Sequence, residues 1–307
     1  MRNEAGPLRL SHAHHDFYRE HGYLVLRGVV SPELLIRAQT LIEPWVDALL
    51  ASWSRAGLIA ETFEGTGFWH RFLDAWNAAG RPHFRRSPNR FLINARMYDF
   101  IRSQTFLQLA EQLIGTPDLS MHGIFNARPQ LPRHDDTLTP WHQDSQYWDL
   151  DYGTESDIER RTHVLTMWMP LQDVDETTGA LQVISRQETQ DAVFAPDPVD
   201  FERTGFLRIL PADIARYTVL PIRMERGDML LFNQRTPHGA APNLAERTRW
   251  SVDIRFEATA GATVVGRKYG FVAQNRADPA TETSLEDWLK KRPDDAAFVP
   301  QAVPLPA

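Results

Sequence analysis

A histidine and an aspartate stand two positions apart in the sequence Trp141-His142-Gln143-Asp144. The surrounding residues favour a β-strand, in which side chains at positions i and i+2 leave on the same face with Cα atoms about 7 Å apart. The imidazole of His142 and the carboxylate of Asp144 can then converge on one point. A neutral nitrogen ligand beside an anionic oxygen ligand suits a divalent first-row transition metal. Because such pairs are common near strand ends, a metal site also requires a third ligand.

The third ligand is predicted far downstream. A Gly-Asp turn at Gly227 and Asp228 opens an apolar strand, and that strand leads to His238. Arg249 follows eleven residues later, on the next predicted strand. A planar guanidinium pairs with a carboxylate through two parallel hydrogen bonds, so an arginine at this position suits an anionic ligand held beside the metal.

This arrangement resembles the phytanoyl-CoA dioxygenase family of iron(II)/2-oxoglutarate oxygenases. The family pattern is His-x-Asp, a distant His, and an Arg eleven residues beyond it, and His142, Asp144, His238 and Arg249 match it position by position. The resemblance covers residues 17 to 257. It implies that the first three residues bind iron(II) and that Arg249 binds the distal carboxylate of the co-substrate 2-oxoglutarate. It also implies a reaction that consumes O2 and releases succinate and CO2.

Further co-substrate contacts are predicted from the same resemblance. In the family, an asparagine at the end of the first core strand and a tryptophan on a later one lie near 2-oxoglutarate, and Asn126 and Trp168 stand in these places. Thr166 shares a strand face with Trp168 and is predicted to line the site with it. The alternatives are a turn cap for Asn126 and plain core packing for Trp168.

Residues at the mouth of the site are predicted from their position. The polar and aromatic segment that follows Asp144 is expected to border the metal, so Tyr147 and Trp148 are candidates for substrate contact. A packed lid is the alternative for this segment.

The strand after His238 has a polar face and an apolar face. The polar residues are Arg249, Ser251, Asp253 and Arg255, and the apolar residues are Trp250, Val252, Ile254 and Phe256. A polar face that points inward is unusual unless the interior holds a site, and Ser251 is therefore also predicted at the substrate mouth. Arg255 lies about 20 Å along the strand from Arg249 and is expected to be too far away to share its ligand.

The elements that position these residues divide the chain into a helical part and a β-rich part. Helical cover is predicted mainly over residues 12 to 115, including a long helix that starts at Ser31. From about residue 119 to 260, short strands split by turns are typical of an antiparallel barrel or sandwich. With the resemblance, this predicts a mostly β fold with α cover, a double-stranded β-helix (jelly-roll, cupin-like) barrel flanked by N-terminal helices. We predict a single oxygenase domain over residues 1–307, with a C-terminal tail at 261–307.

Composition narrows the possible partners. Thirty-three basic and 40 acidic residues give a net charge of −7, which disfavours a nucleic-acid partner. The chain has no cysteine, so a metal must be held by histidine and carboxylate. No apolar run approaches the length of a membrane span, and the start lacks the apolar core of a signal peptide. We expect a cytoplasmic protein that acts on a small molecule, with no membrane partner.

Two classes of function fit these observations. The first is hydroxylation of an unactivated C–H bond in a small metabolite or natural-product intermediate. Asp144 favours hydroxylation over halogenation, because related halogenases have a small residue there that frees a position for chloride. The second is a non-catalytic cupin-like barrel that binds zinc or a small ligand, with Arg249 as an internal salt-bridge partner. The loops at 57–90, 145–160 and 187–217 are predicted to select the substrate.

Overall fold

The computed structural model describes residues 8–82, 92–147, 163–197 and 207–292, and its longer helices come first along the chain. These are α1 (His12–His21), α2 (Pro32–Arg55), α3 (Phe68–Ala78), α4 (Ala95–Ile101) and α5 (Gln104–Ile114). Short helices follow at Arg186–Thr189, Pro211–Ile214, Val264–Tyr269 and Leu285–Leu289. In the described ranges, no helix is long and apolar enough to cross a membrane.

The strands of the described residues form two sheets. They are β1 (Tyr23–Leu26), β2 (Leu119–Met121), β3 (Asn126–Gln130), β4 (Leu165–Pro170), β5 (Leu181–Val183), β6 (Leu220–Pro221), β7 (Met229–Asn233), β8 (His238–Ala240), β9 (Arg249–Ala258) and β10 (Phe271–Gln274). The larger sheet has the order β1-β7-β4-β9-β2-β10, and β3 also pairs with β9. The smaller sheet has the order β6-β5-β8. All of these pairings are antiparallel, so the predicted antiparallel, sheet-rich fold with helices is confirmed.

Capping residues define both ends of α1 and the start of α2. The side chain of Ser11 accepts a hydrogen bond from the backbone of His14 at the start of α1, and the side chain of Ser31 does the same for Leu34 at the start of α2. Helix α1 ends at Gly22, whose φ of 77° lies in the left-handed region that favours glycine. This turn leads the chain directly into β1, which pairs with β7 at one edge of the larger sheet.

The main core lies between the larger sheet and the helices. The apolar side chains of β4 and β9 that face the helices belong to one buried cluster with α2 and α5. Within this cluster, the rings of Trp45 on α2 and Trp250 on β9 meet edge to face, with 6.1 Å between their centroids. Since strand side chains alternate, the opposite face of β9 carries its polar residues, and these are buried as well. This inner face of β9 holds most of the candidate site.

Candidate metal centre and its cavity

The structure brings His142, Asp144 and His238 together. One ligand atom from each lies within 4.8 Å of the others, and all three residues are buried. The Nε2 atom of His142 lies 3.7 Å from Oδ1 of Asp144, and the two imidazole centroids are 4.2 Å apart. Across the part of the chain that the structure describes, no other set of three His, Cys, Asp or Glu residues offers such a cluster.

Backbone pairing positions the two histidines. His142 and His238 form an antiparallel bridge in which each backbone N–H donates to the carbonyl of the other, over 2.9 and 3.0 Å. This bridge lies beside the smaller sheet, because His238 begins β8. The two rings are therefore neighbours through main-chain hydrogen bonds.

The predicted strand through both His142 and Asp144 is wrong for Asp144. Residues 144–147 are helical, so Asp144 reaches the site from the first residue of a turn. The side chain of Gln146 accepts a hydrogen bond from the backbone N–H of Gln143 over 3.0 Å. Such side-chain to backbone bonds compete with strand pairing and close the turn.

Backbone carbonyls fix the orientation of the imidazoles. Nδ1 of His142 lies 2.8 Å from the Pro140 carbonyl, and Nδ1 of His238 lies 3.0 Å from the Thr236 carbonyl. Because a carbonyl only accepts, each Nδ1 carries a hydrogen, and in the neutral form of each ring Nε2 then keeps the lone pair that binds a metal. Burial lowers the pKa of His238 to about 3, so this ring is neutral near pH 7, as a metal ligand must be.

A buried arginine holds the carboxylate of Asp144. Arg255 donates from Nε and Nη2 to the two oxygens of Asp144, each over 2.9 Å, and Thr166 donates to Oδ2 over 2.8 Å. Nη1 of Arg255 also donates to Asp253 over 2.6 Å, and Asn126 donates to the same oxygen of Asp253 over 2.7 Å. Burial raises the pKa of Asp144, but Arg255 and the two histidines together outweigh burial, and the pKa lies well below its ordinary value. The carboxylate is therefore ionised and fixed.

Arg255 was not predicted to be a residue of the site. It does lie far along β9 from Arg249, as expected, but its guanidinium meets Asp144 from a different segment. The available signal was the polar face of β9, because an arginine on an inward strand face needs a buried acid as its partner.

Arg249 lies on the same inner face of β9 and is 2% exposed. Its Nη1 donates to the Ser251 hydroxyl over 2.6 Å, and its Nη2 donates to the side-chain oxygen of Gln130. Among the described residues, no carboxylate forms an ion pair with it. Burial and the nearby Arg128 lower the pKa of Arg249 to about 9, so it is still a cation at neutral pH. A buried cation without a paired anion favours an anionic ligand.

The surroundings of Arg249 are closely packed. The Trp168 ring centroid lies 5.7 Å from the centre of the guanidinium, within the range of a cation–π contact. Gly179 has a φ of 81°, and a Cβ at this position would stand 3.1 Å from Nε of Arg249 and still closer to Gln130. Glycine therefore lets the turn before β5 approach the guanidinium.

The remaining predicted site residues lie in different places. Thr166 and Trp168 line the cavity. Asn126 is not part of the lining but donates a hydrogen bond to Asp253, which is. Ser251 also lines the cavity, where it is fully buried and accepts a hydrogen bond from Arg249, and its place at the substrate mouth stays a prediction.

The segment after Asp144 is described only in part. Tyr147 is half-buried, and its ring meets His142 edge on, with 5.6 Å between the centroids. Its hydroxyl accepts a hydrogen bond from the backbone of Leu207 over 3.2 Å. Trp148 lies outside the described residues.

A single cavity is lined by both the histidine pair and Arg249. Its walls come from β3, β4, β7 and β9 of the larger sheet and from β5 and β8 of the smaller one. Two neutral imidazole nitrogens and one ionised carboxylate form the ligand set of non-haem iron(II) oxygenases, which leaves open positions on the metal. The residues present therefore fit iron(II), with a cation placed in the same cavity for an anionic co-ligand.

Comparisons with known proteins agree with this arrangement. A model of the phytanoyl-CoA dioxygenase family matches residues 18–251. The 1-deoxypentalenic acid 11-beta-hydroxylase of Streptomyces arenae is 26% identical over 250 residues, which cover 78% of this chain and 79% of that protein.

Two solved structures share the fold. One is SnoK, a non-heme alpha-ketoglutarate-dependent carbocyclase from nogalamycin biosynthesis, with a TM-score of 0.53 and 17% identity over 83% of this chain and 87% of that one. The other is EvdO2 from Micromonospora carbonacea var. aurantiaca, complexed with 2-oxoglutarate, with a TM-score of 0.53 and 18% identity over 83% and 93% of the two chains.

Proposed function

Because this chain belongs to the phytanoyl-CoA dioxygenase family and is an iron(II)/2-oxoglutarate-dependent dioxygenase, we propose that it hydroxylates an unactivated C–H bond of a small metabolite or natural-product intermediate. His142, Asp144 and His238 bind the iron in this proposal, and Arg249 binds 2-oxoglutarate. All four residues fall within the 18–251 match to the family.

One observation carries the proposal. Arg249, a buried guanidinium without a paired carboxylate among the described residues, opens into the same cavity as two imidazoles whose Nε2 atoms are ready to bind a metal. A structural zinc site requires no such cation. An extended dianion with one end on the metal and the other on Arg249 accounts for both features.

Each part of the cavity has a task. The imidazoles and Oδ1 of Asp144 hold the ion, while Arg255 keeps that carboxylate oriented. Arg249, steadied by Ser251 and Gln130, pairs with the distal carboxylate of 2-oxoglutarate. When bound, iron(II) supplies the activation of dioxygen that couples conversion of 2-oxoglutarate to succinate and CO2 with oxidation of a substrate C–H bond.

The arrangement of the two sheets supports a more specific fold. We infer that the two sheets are the two halves of a double-stranded β-helix, closed around the cavity and flanked by α1 to α5. The support is that both sheets contribute to the cavity wall. The metal ligand His238 comes from the smaller sheet, and Arg249 comes from the larger.

Hydroxylation is the outcome we favour. The relative from Streptomyces arenae is named as a hydroxylase of 1-deoxypentalenic acid, a small organic acid. Asp144 is ionised and held by Arg255, so this position remains a ligand and does not become an open place for chloride. A small-molecule substrate is also in keeping with a site enclosed by two sheets.

The test is whether the protein converts 2-oxoglutarate to succinate when no primary substrate is added. Purified protein supplied with iron(II), ascorbate, oxygen and 2-oxoglutarate is expected to form succinate slowly. His142→Ala and Asp144→Ala should abolish this while the thermal unfolding midpoint shows a folded protein. Arg223→Gln is the matched control, because Arg223 is exposed and, among the residues that the structure describes, its ion pair is with Glu176 near the surface. Absence of succinate, with zinc bound more tightly than iron, would support a metal-binding barrel without this activity.

A further inference from the structure

The walls of the cavity carry one more positive charge than negative charge. Three guanidiniums line it, from Arg128, Arg249 and Arg255. Two carboxylates stand against them, Asp253 in the lining and Asp144 bonded to Arg255. With the histidines neutral, these groups leave a single surplus positive charge.

Loading the site does not remove this surplus. The proposed iron(II) ion adds two positive charges, and the 2-oxoglutarate dianion adds two negative ones. The loaded cavity therefore keeps one net positive charge in surroundings that are mostly shielded from water. A low-dielectric site with one unbalanced cation favours a ligand with one negative charge.

The two deeper arginines already have partners in the loaded site. Arg255 donates three hydrogen bonds to Asp144 and Asp253, and although burial lowers its pKa, these two carboxylates raise it above the ordinary value. Arg249 is 2% exposed and binds 2-oxoglutarate in the proposed function. The surplus charge is thus assigned to Arg128.

Arg128 is loosely held and reaches solvent. Its Nε lies 3.6 Å from Oδ2 of Asp253, and its side chain is 28% exposed, compared with 6% for that aspartate. The other oxygen of Asp253 already accepts from Arg255 and Asn126. Within the described ranges, the Arg128 guanidinium donates no hydrogen bond to the protein, so both of its terminal nitrogens remain available.

The position of Arg128 suits a ligand that enters beside the co-substrate. On β3 it stands opposite Ser251, while its neighbours on the same face, Asn126 and Gln130, stand opposite Asp253 and Arg249. It therefore lies between the levels of Arg249 and Asp253 on the inner face of β9. A molecule that enters from solvent meets this arginine before the buried Arg249.

We propose that Arg128 binds a carboxylate of the primary substrate, and that the substrate is a small organic acid with a single negative charge. The inference rests on the proposed function, because the charge balance assumes iron(II) and 2-oxoglutarate. A guanidinium with two terminal nitrogens available pairs with a carboxylate through parallel hydrogen bonds, and this geometry fixes the orientation of the acid.

The test compares the binding affinity of each of several acids with that of its own amide. Wild-type protein is loaded with manganese(II) and 2-oxoglutarate without oxygen and titrated by calorimetry with cyclohexanecarboxylate, 1-adamantanecarboxylate and octanoate, each beside its primary amide. At least one acid is expected to bind roughly tenfold to a hundredfold more tightly than its amide, as expected for a charged hydrogen-bonded pair. Arg128→Gln should remove this preference by weakening the acid, and Arg223→Gln should preserve it.

Four results would overturn the proposal. The first three are amides that bind as well as their acids, no acid that binds at millimolar concentration, and an acid preference that survives in Arg128→Gln. A fourth is an increase in the half-saturating 2-oxoglutarate concentration as large in Arg128→Gln as in Arg249→Gln, since Arg128 would then anchor the co-substrate. Failure of the proposed function is distinct, because wild-type protein would then form no succinate at all.

Discussion

At the scale of single residues, the contact between Arg255 and Asp144 determines how the carboxylate can bind a metal. Arg255 donates to both oxygens of Asp144 and Thr166 donates to Oδ2 as well, so Oδ1, which faces His142, accepts one hydrogen bond fewer than Oδ2. The carboxylate is thus prepared to give one oxygen to the ion. Groups that orient metal ligands in this way contribute substantially to metal affinity.

Replacing Arg255 with glutamine is expected to weaken metal binding roughly tenfold to a hundredfold. The substitution removes the paired hydrogen bonds that orient Asp144 and leaves the three ligands in place. Anaerobic titration with cobalt(II), followed by its visible absorption, gives the affinity. Arg255→Lys, which keeps the charge but not the fork, should lie between wild type and Arg255→Gln. Wild-type affinity in a folded Arg255→Gln protein would contradict this role.

Replacing Arg249 with glutamine is expected to raise the half-saturating 2-oxoglutarate concentration by tenfold or more, because a charged pair contributes about 1.5–3 kcal/mol. Glutamine can still donate to Ser251, so the loss is mainly of charge. The measurement is succinate formation as a function of 2-oxoglutarate concentration. An unchanged requirement would show that the co-substrate is anchored elsewhere.

The residues of the site were predictable to different degrees. His142, Asp144, His238 and Arg249 follow from a spacing pattern; the structure groups the first three, and both histidines line one cavity with Arg249. The role of Arg255 depends on a contact between segments far apart in sequence, which no local pattern reveals. The surplus charge on Arg128 likewise becomes visible only once the pairing of β3 with β9 is known.

At the scale of elements, β9 links the helical layer to the site. Its outer face packs Trp250 against Trp45 of α2, and its inner face carries Arg249. Because neighbouring strand residues point to opposite sides, the position of one face fixes the position of the other. The helical layer therefore supports the strand that carries Arg249.

Replacing Trp45 with alanine is expected to lower the free energy of unfolding by about 3–5 kcal/mol, because it leaves a cavity beside β9. Trp45 is 1% exposed. Ile36→Ala in the same helix is the control, since Ile36 is 58% exposed and should change stability by no more than about 0.5 kcal/mol. Urea unfolding of the two variants provides the comparison, and equal losses would contradict the packing described.

The elements were predictable where one physical signal dominated. The alternation of polar and apolar residues predicted β9, and Ser31 predicted the start of α2, which the structure confirms. The strand through Asp144 was wrong because the side chain of Gln146 accepts a hydrogen bond from the backbone N–H of Gln143, and residues 144–147 are helical. An alternating pattern over four residues carries no information about whether such local hydrogen bonds will replace strand pairing.

At the scale of the whole molecule, a buried carboxylate outside the metal centre makes stability depend on pH. Glu257 at the end of β9 is fully buried and accepts hydrogen bonds from the backbone and hydroxyl of Thr263. Burial raises its pKa to about 7 from 4.5, although Thr263 and Arg267 oppose the shift. The folded protein therefore binds a proton at Glu257 more tightly than the unfolded chain does.

The sign of the effect follows from this order of pKa values. The contribution of Glu257 is fully present below about pH 4.5 and is lost as the pH rises through 7. The loss is expected to reach about 3 kcal/mol. Glu257→Gln should flatten this part of the stability profile between pH 5 and 8, whereas Glu246→Gln, at an exposed carboxylate, should not. Parallel profiles for wild type and Glu257→Gln would contradict the assignment.

The general architecture was predictable from the sequence, but the substrate was not. Strand and helix patterns, joined to the spacing of the motif, lead to an antiparallel fold with helices around a metal site. The segments predicted to select the substrate show little periodicity outside α3, and much of 145–160 lies outside the described residues. What a loop binds depends on the surfaces that it faces after folding.

The most direct test of the account is a crystal structure grown anaerobically with iron(II) and 2-oxoglutarate, with anomalous data collected at the iron edge. The account predicts one iron peak bonded to Nε2 of His142, Oδ1 of Asp144 and Nε2 of His238, with the distal carboxylate of 2-oxoglutarate paired to Arg249. An iron peak away from these three atoms, or a co-substrate that leaves Arg249 without an anion, would contradict it.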